Sequence, residues 1–160
     1  DPTDLDYLTR AFLAPDTAVA SDAMPLVASS PEHLTQWPPP AGVLTHPRTA
    51  GTFSRIFRWY VRELRLVDLP EAVRRCTLVP ADVLAGIAPM MKHKGRIQVG
   101  ADADLVLFNA DTISDEATYE RPTLLSSGIE WVFVNGAPVV RSGVLDTSTR
   151  PGAPIRARVE

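Results

Sequence analysis

A single cysteine, Cys76, excludes an internal disulfide framework and fits a reducing, cytoplasmic setting. No apolar run approaches the roughly 20 residues of a membrane helix. The opening Asp1-Pro2-Thr3-Asp4 has neither the basic region nor the apolar stretch of a signal peptide. Charge of one sign is also scarce. The 16 Lys and Arg against 19 Asp and Glu leave a net charge of -3, with no basic footprint for nucleic acid and no polybasic membrane patch. Histidine is sparse as well: His33, His46 and His93 are the only three, and none stands at H-x-H or H-E-x-x-H spacing. A complete zinc site within these residues is therefore not expected. What the chain does have is 45% apolar residues, enough over 160 residues to bury the core of one domain or two small ones.

Leu5, Leu8, Phe12 and Leu13 fall on one helical face, with Thr3 or Asp4 as a cap. Pro15-Asp16 ends that helix, and Thr17 to Ala20 reads as a short buried strand. Residues 23–50 hold Pro25, Pro31, Pro38, Pro39, Pro40 and Pro47 and read as a long, lid-like loop. Phe53, Ile56, Phe57, Tyr60, Val61 and Leu64 then repeat at helical spacing, with Thr52 as N-cap. Arg55, Arg58, Arg62 and Arg65 fall mostly outward, as a solvated face or one for an anionic partner. Asp68-Leu69-Pro70-Glu71 opens a further helix with Ala72, Val73 and Cys76 inward, so Cys76 reads as an inert core thiol. Pro80 starts a short helix ending near Gly86.

After Pro89 the texture becomes β. Gly95 to Val99 leads into the turn at Gly100 to Ala103, and Asp104 precedes the apolar run Leu105 to Phe108. Ile129 to Val134 and Ala137 to Arg141 flank Asn135-Gly136, a two-residue hairpin signal because both positions tolerate positive φ. Asp102 and Asp104 could ligate a metal, but no further acidic spacing follows, and a role in the turn and strand entry is the expectation. Pro151, Pro154, Arg156 and Arg158 describe an extended or disordered tail.

Chemistry concentrates in Ser21-Asp22-Ala23-Met24-Pro25, His46-Pro47-Arg48 and Gly51-Thr52-Phe53. A carboxylate at the end of a short strand, with irregular chain beyond it, is where a β/α barrel keeps catalytic groups; the plainer reading of Asp22 is a strand-end cap. Arg48 offers a guanidinium suited to a carboxylate, or else pairs within its own loop. His46 reads as a loop hydrogen-bonder, and His33 and His93 have no functional case.

These blocks, with Pro70-Glu71-Ala72-Val73 through Thr77 and Pro80-Ala81, Gly95-Arg96-Ile97 through Gly100, Ala103-Asp104-Leu105-Val106, Val132 to Gly136 and Pro151-Gly152, run in the order of a known family. The chain resembles the C-terminal portion of an N-acyl-D-amino-acid deacylase (D-aminoacylase), a branch of the amidohydrolase superfamily. The first two blocks favour that branch; the later ones are common to many amidohydrolases.

The resemblance implies an α/β fold: the C-terminal part of a metal-dependent-hydrolase (β/α)8 barrel over residues 1–88, then the C-terminal segment of a small β-sandwich over 89–160. It implies zinc, one or two ions, and a small-molecule N-acyl-D-amino acid as substrate. Asp22 matches the aspartate ending the last barrel strand, which acts as general base and then acid and is a possible metal ligand. Arg48 matches, less securely, an arginine near the substrate carboxylate. The family's other ligands, an H-x-H pair, a cysteine and two further histidines, have no counterpart here. The chain thus looks like a fragment, inactive without a missing N-terminal barrel portion. Where the family has glycine after the aspartate, this chain has Ala23. Two other readings stay open: a non-catalytic remnant serving as a structural or interaction module, and an amidohydrolase acting on another, cyclic amide.

Overall fold

The computed structural model describes residues 2–157. Arg158 and the side chains of Thr3 and Leu5 lie outside what is described. The fold is α/β: a helical half leads into a four-stranded antiparallel sheet.

Helix α1 spans Pro2–Leu13, so Asp4 lies in its first turn rather than at its cap. Proline is favoured there because a helix's first N–H groups have no intrahelical acceptor. Among the described residues of its apolar face Phe12 alone is buried, while Leu8 and Leu13 are exposed. Thr17 to Ala20 is irregular, a departure from the expected strand. Val19 is buried, but its N–H goes to the Arg75 carbonyl at 2.9 Å. A strand is defined by a neighbour's ladder, and no strand pairs with this segment among the described residues.

Residues 23–47 form an ordered irregular loop, which ends three residues short of the expected 50 because α2 already begins at Arg48. Val27 and Leu44 exchange backbone hydrogen bonds at 2.8 and 2.7 Å and close its middle, which contains a single 3₁₀ turn at Pro31–Leu34. Helix α2 then runs over Arg48–Arg55 and widens into π geometry over Ile56–Glu63. It begins earlier than its sequence suggests: Pro47 is the N-cap, and Thr52 lies inside, its hydroxyl donating to the Arg48 carbonyl at 2.8 Å. The N–H of Leu64 reaches back to the Trp59 carbonyl, five residues away, at 2.8 Å. Such π segments are rare and recur near functional sites.

Helix α3, Leu69–Cys76, starts where the Asp68 carboxylate accepts the Glu71 N–H at 2.9 Å, and α4 covers Leu78–Ala85. Ala72 is fully buried, but Val73, expected inward, is exposed. Cys76 packs against the core, and burial pushes its thiol up to about 12, as expected of an inert thiol. Residues 95–104 are turns rather than strand, with Ile97 and Val99 exposed.

The sheet comprises β1 (Leu105–Phe108), β2 (Ile129–Val134), β3 (Ala137–Arg141) and β4 (Val144–Leu145), paired in that order. Asn135 and Gly136, at φ 48° and 78°, make the tight turn between β2 and β3. Asp104 accepts the Asn135 N–H at 2.8 Å and pairs with Lys94 at 2.5 Å, while Asp102 meets Lys94 at 2.9 Å. The two aspartates therefore serve turn and strand entry.

Helices and sheet share one apolar cluster. Phe12, Val19, Ile56, Phe57, Tyr60, Ala72 and Ile113 form its buried part, with Phe108 and Ile129 packed on it. Burying a side chain of the size of Phe57 contributes about 1.5–3 kcal/mol. Ile113 belongs to residues 109–128, the long connection between the adjacent antiparallel strands β1 and β2, which crosses over to α2 and is held by its arginines.

That crossover changes the reading of the arginine face. Arg58 donates to Asp115 at 2.6 Å, Arg55 pairs with the same carboxylate at 3.4 Å, and Arg62 donates to the carbonyls of Ala110 and Ile113, each at 2.9 Å. Part of the face thus clamps the segment 109–128, and part stays solvated. Arg55 and Arg65 remain exposed.

Candidate active site

Asp22 and Arg48 lie 26 residues apart, yet they meet. Arg48 Nη2 donates to the Asp22 carboxylate at 2.9 Å and Nε to the Asp22 carbonyl at 2.7 Å. The Asp22 side chain is 86% exposed, so the pair sits at the rim of the molecule rather than in its core. Asp22 adopts φ +46°, a left-handed conformation that aspartate tolerates better than most residues. The positive φ thus falls on Asp22 itself and not on Ala23, so the backbone at Ala23 has no need of glycine.

The approach is built by α2. Its first turn carries Arg48 and Thr49, and Thr49 Oγ1 accepts the Met24 N–H at 3.1 Å. Thr45 donates to the Met24 carbonyl at 3.1 Å and shares a 2.9 Å hydrogen bond with Thr49. These two hydroxyls staple residues just past Asp22 to the helix start. His46 is a loop hydrogen-bonder: Nδ1 accepts the Arg48 N–H at 3.0 Å, and Nε2 lies 3.3 Å from Tyr119 Oη. His33 is half-buried in the 3₁₀ turn, and His93 Nδ1 is 3.1 Å from the Gly100 carbonyl.

A cleft of about 450 Å³ opens beside Arg48, between the start of α2 and residues 115–120 of the crossover. Gly51 lines it beside Asp115, and a Cβ there would stand 2.9 Å from Asp115 Cβ. Tyr119, Thr45, Thr49 and Asp115 were not singled out from sequence. A tyrosine within the polar run 114–120 is a weak signal, and nothing local places it against a histidine 73 residues earlier.

Among the described residues no group of three or more His, Cys, Asp or Glu stands close enough to hold a metal ion. Asp22 is the one candidate donor, and a lone exposed carboxylate does not make a zinc site, which takes several N, S or O ligands.

Residues 17–140 match the model of the amidohydrolase family. The chain belongs to the amidohydrolase family. The match spans both Asp22 and Arg48 and continues through the β2–β3 hairpin. Within the family, the chain is 47% identical over 111 residues to the N-acyl-D-glutamate deacylase of Alcaligenes xylosoxydans xylosoxydans, covering 69% of this chain and 21% of that protein. It is 35% identical over 145 residues to the N-acyl-D-aspartate deacylase of the same organism, covering 91% of this chain and 25% of that one. Among solved amidohydrolase structures, an N-acyl-D-glutamate deacylase from Bordetella bronchiseptica, complexed with zinc and a phosphonate inhibitor, superposes with a TM-score of 0.74. The identity is 38%, over 95% of this chain and 27% of that one. A D-aminoacylase structure gives a TM-score of 0.73 at 33% identity, over 93% and 27%. The chain thus spans 21–27% of the length of these relatives.

Proposed function

We propose that these residues form part of a zinc-dependent hydrolase cleaving the amide bond of N-acyl-D-amino acids, with Asp22 moving the proton and Arg48 holding the substrate carboxylate. The observation that carries this reading is the direct contact of Asp22 with Arg48 at the edge of an open cleft, within the residues that match the amidohydrolase family, in a chain similar to D-amino-acid deacylases. Residues 1–88, with the loop at 23–50, would then belong to a (β/α)8 barrel and residues 89–160 to a small β-sandwich. Zinc, one or two ions, would be held by donors beyond these residues, with Asp22 as a possible additional ligand. When bound, it would supply Lewis acidity to the site.

Amide hydrolysis adds water to the carbonyl carbon and breaks the C–N bond. Two proton movements are needed: one off the attacking water, one onto the departing nitrogen, which is otherwise too basic to leave. A single carboxylate within reach of both can serve as base and then acid. Asp22 is exposed enough to meet a substrate and is held by Arg48 through its backbone carbonyl as well as its carboxylate. Among the described residues, Arg48 Nη1 has no hydrogen-bond partner, which leaves a guanidinium edge for the substrate's carboxylate.

The test is amine release by the full-length enzyme from matched N-acyl-D and N-acyl-L amino acids and from a cyclic amide. Release from the D series alone is expected; preferential opening of the cyclic amide would sink the reading. Metal content offers a separate check. The dialysed 160-residue polypeptide should hold well under one equivalent of zinc by elemental analysis, and equimolar zinc would mean that its own residues make a site.

A further inference from the structure

Two side chains that this chemistry leaves unused hold the loop that presents Arg48. His46 Nδ1 accepts the Arg48 N–H at 3.0 Å. That N–H is the first of α2, one of the donors that a helix start leaves without an intrahelical partner. Because Nδ1 is the acceptor, the ring proton resides on Nε2. Nε2 lies 3.3 Å from Tyr119 Oη, and the rings meet edge to face at 5.3 Å and 78°. The direction follows: His46 Nε2–H donates to Tyr119.

Tyr119 is 75% exposed, yet its segment is fastened. Asp115 is clamped by Arg58 and Arg55, while the Thr118 N–H donates to the Arg121 carbonyl at 3.2 Å and the Arg121 N–H to Thr118 Oγ1 at 3.1 Å. An anchored segment therefore offers a fixed acceptor to an imidazole that in turn fixes the backbone of Arg48. Arginine has a long stem with many rotamers, so its guanidinium is placed well only if its own Cα is held.

The geometry points to His46 and Tyr119 as a positioning pair for Arg48: Tyr119 orients the imidazole, and the imidazole locks the helix start from which the guanidinium reaches Asp22. The kinetic consequence rests on Arg48 being the anchor of the substrate carboxylate, while the structural part does not.

Two variants of the full-length enzyme separate the halves of the ring. His46→Asn puts an amide oxygen where Nδ1 stands and keeps the acceptor for the Arg48 N–H. His46→Gln reaches toward Tyr119 and drops that acceptor. Hydrogen–deuterium exchange at the Arg48 amide reads the bond without turnover. Protection should persist in His46→Asn and fall about fivefold or more in His46→Gln, the scale of one hydrogen bond. Unchanged protection in His46→Gln overturns the pairing. In kinetics, His46→Gln should raise KM about fivefold with kcat nearly unchanged, Tyr119→Phe should shift KM the same way, and His46→Asn should restore most of the loss. In an Arg48→Ala background His46→Gln should move KM no further, since the two act through one group. Additive losses there, or a fall in kcat alone, overturn the positioning role. If Arg48→Ala leaves KM unchanged while His46→Gln still deprotects the Arg48 amide, the pair stands, and the assignment of Arg48 to the substrate carboxylate fails.

Discussion

Arg48 grips Asp22 twice, at its carboxylate through Nη2 and at its backbone carbonyl through Nε. The second contact does not depend on the acid. Asp22→Asn should therefore leave the local backbone in place while removing the proton acceptor. Turnover should fall roughly 10²-fold or more, the scale of general acid–base catalysis, with KM changed much less. Steady-state kinetics check this, and wild-type turnover in the Asn variant would end the assignment of Asp22.

Arg48→Ala removes the guanidinium that the proposal gives to the substrate carboxylate. Binding should weaken by about 1 kcal/mol for a pair that stays at the rim, rising toward about 2–5 kcal/mol for one that the bound substrate buries. Substrates with an amidated carboxylate should lose their disadvantage in the variant, because the group they lack no longer has a partner. Equal damage to acid and amide substrates would point to a loop role instead.

Gly128 tests how the crossover is seated. It has φ +77°, and a Cβ there would stand 2.6 Å from the backbone of Ile113, itself only 3% exposed. Gly128→Ala should destabilise the fold by about 1–3 kcal/mol through backbone strain, with a further loss if Ile113 leaves the core. Denaturant unfolding measures the difference. A midpoint equal to wild type would show that the crossover yields freely.

Acid stability should depend on Glu71. Arg74, at 2.7 and 3.1 Å, and Arg75, at 2.6 Å, hold its carboxyl down to about 2 from an ordinary 4.5. A group whose pKa is lowered by folding stabilises the fold above its unfolded value, and that contribution is lost as pH falls through the folded one. Wild type should thus exceed Glu71→Gln in stability at pH 7, with the gap closing between about pH 4.5 and 2. Unfolding curves at stepped pH follow it, and a gap that stays constant across that range would count against the pairing.

Much of the local structure was legible because short-range chemistry dictates it. Asp68 caps α3 since its carboxylate reaches an N–H three residues on, and Asn135-Gly136 turns the chain since both residues accept positive φ. The helical repeat from Phe53 to Leu64 is likewise plain in the sequence, although the helix starts at Arg48 and not after Thr52. There the periodicity shows the apolar stripe but not the extra turn that Pro47 opens. Thr17 to Ala20 failed as a strand for a different reason: apolar composition marks burial, and a strand also requires a neighbour.

The sequence by itself determined most of the helices, the β2–β3 hairpin, the apolar stripe through Ile56, Phe57 and Tyr60, and the order of motifs that mark an amidohydrolase. Only the tertiary structure decided that Arg48 meets Asp22, that the arginines of α2 grasp Asp115 and the crossover, and that Tyr119 comes to rest on His46. Those contacts join residues 26 to 73 positions apart. Periodicity and capping act within a few residues along the chain. Which distant side chains meet depends instead on where the packed core returns the backbone, and no local pattern carries that information.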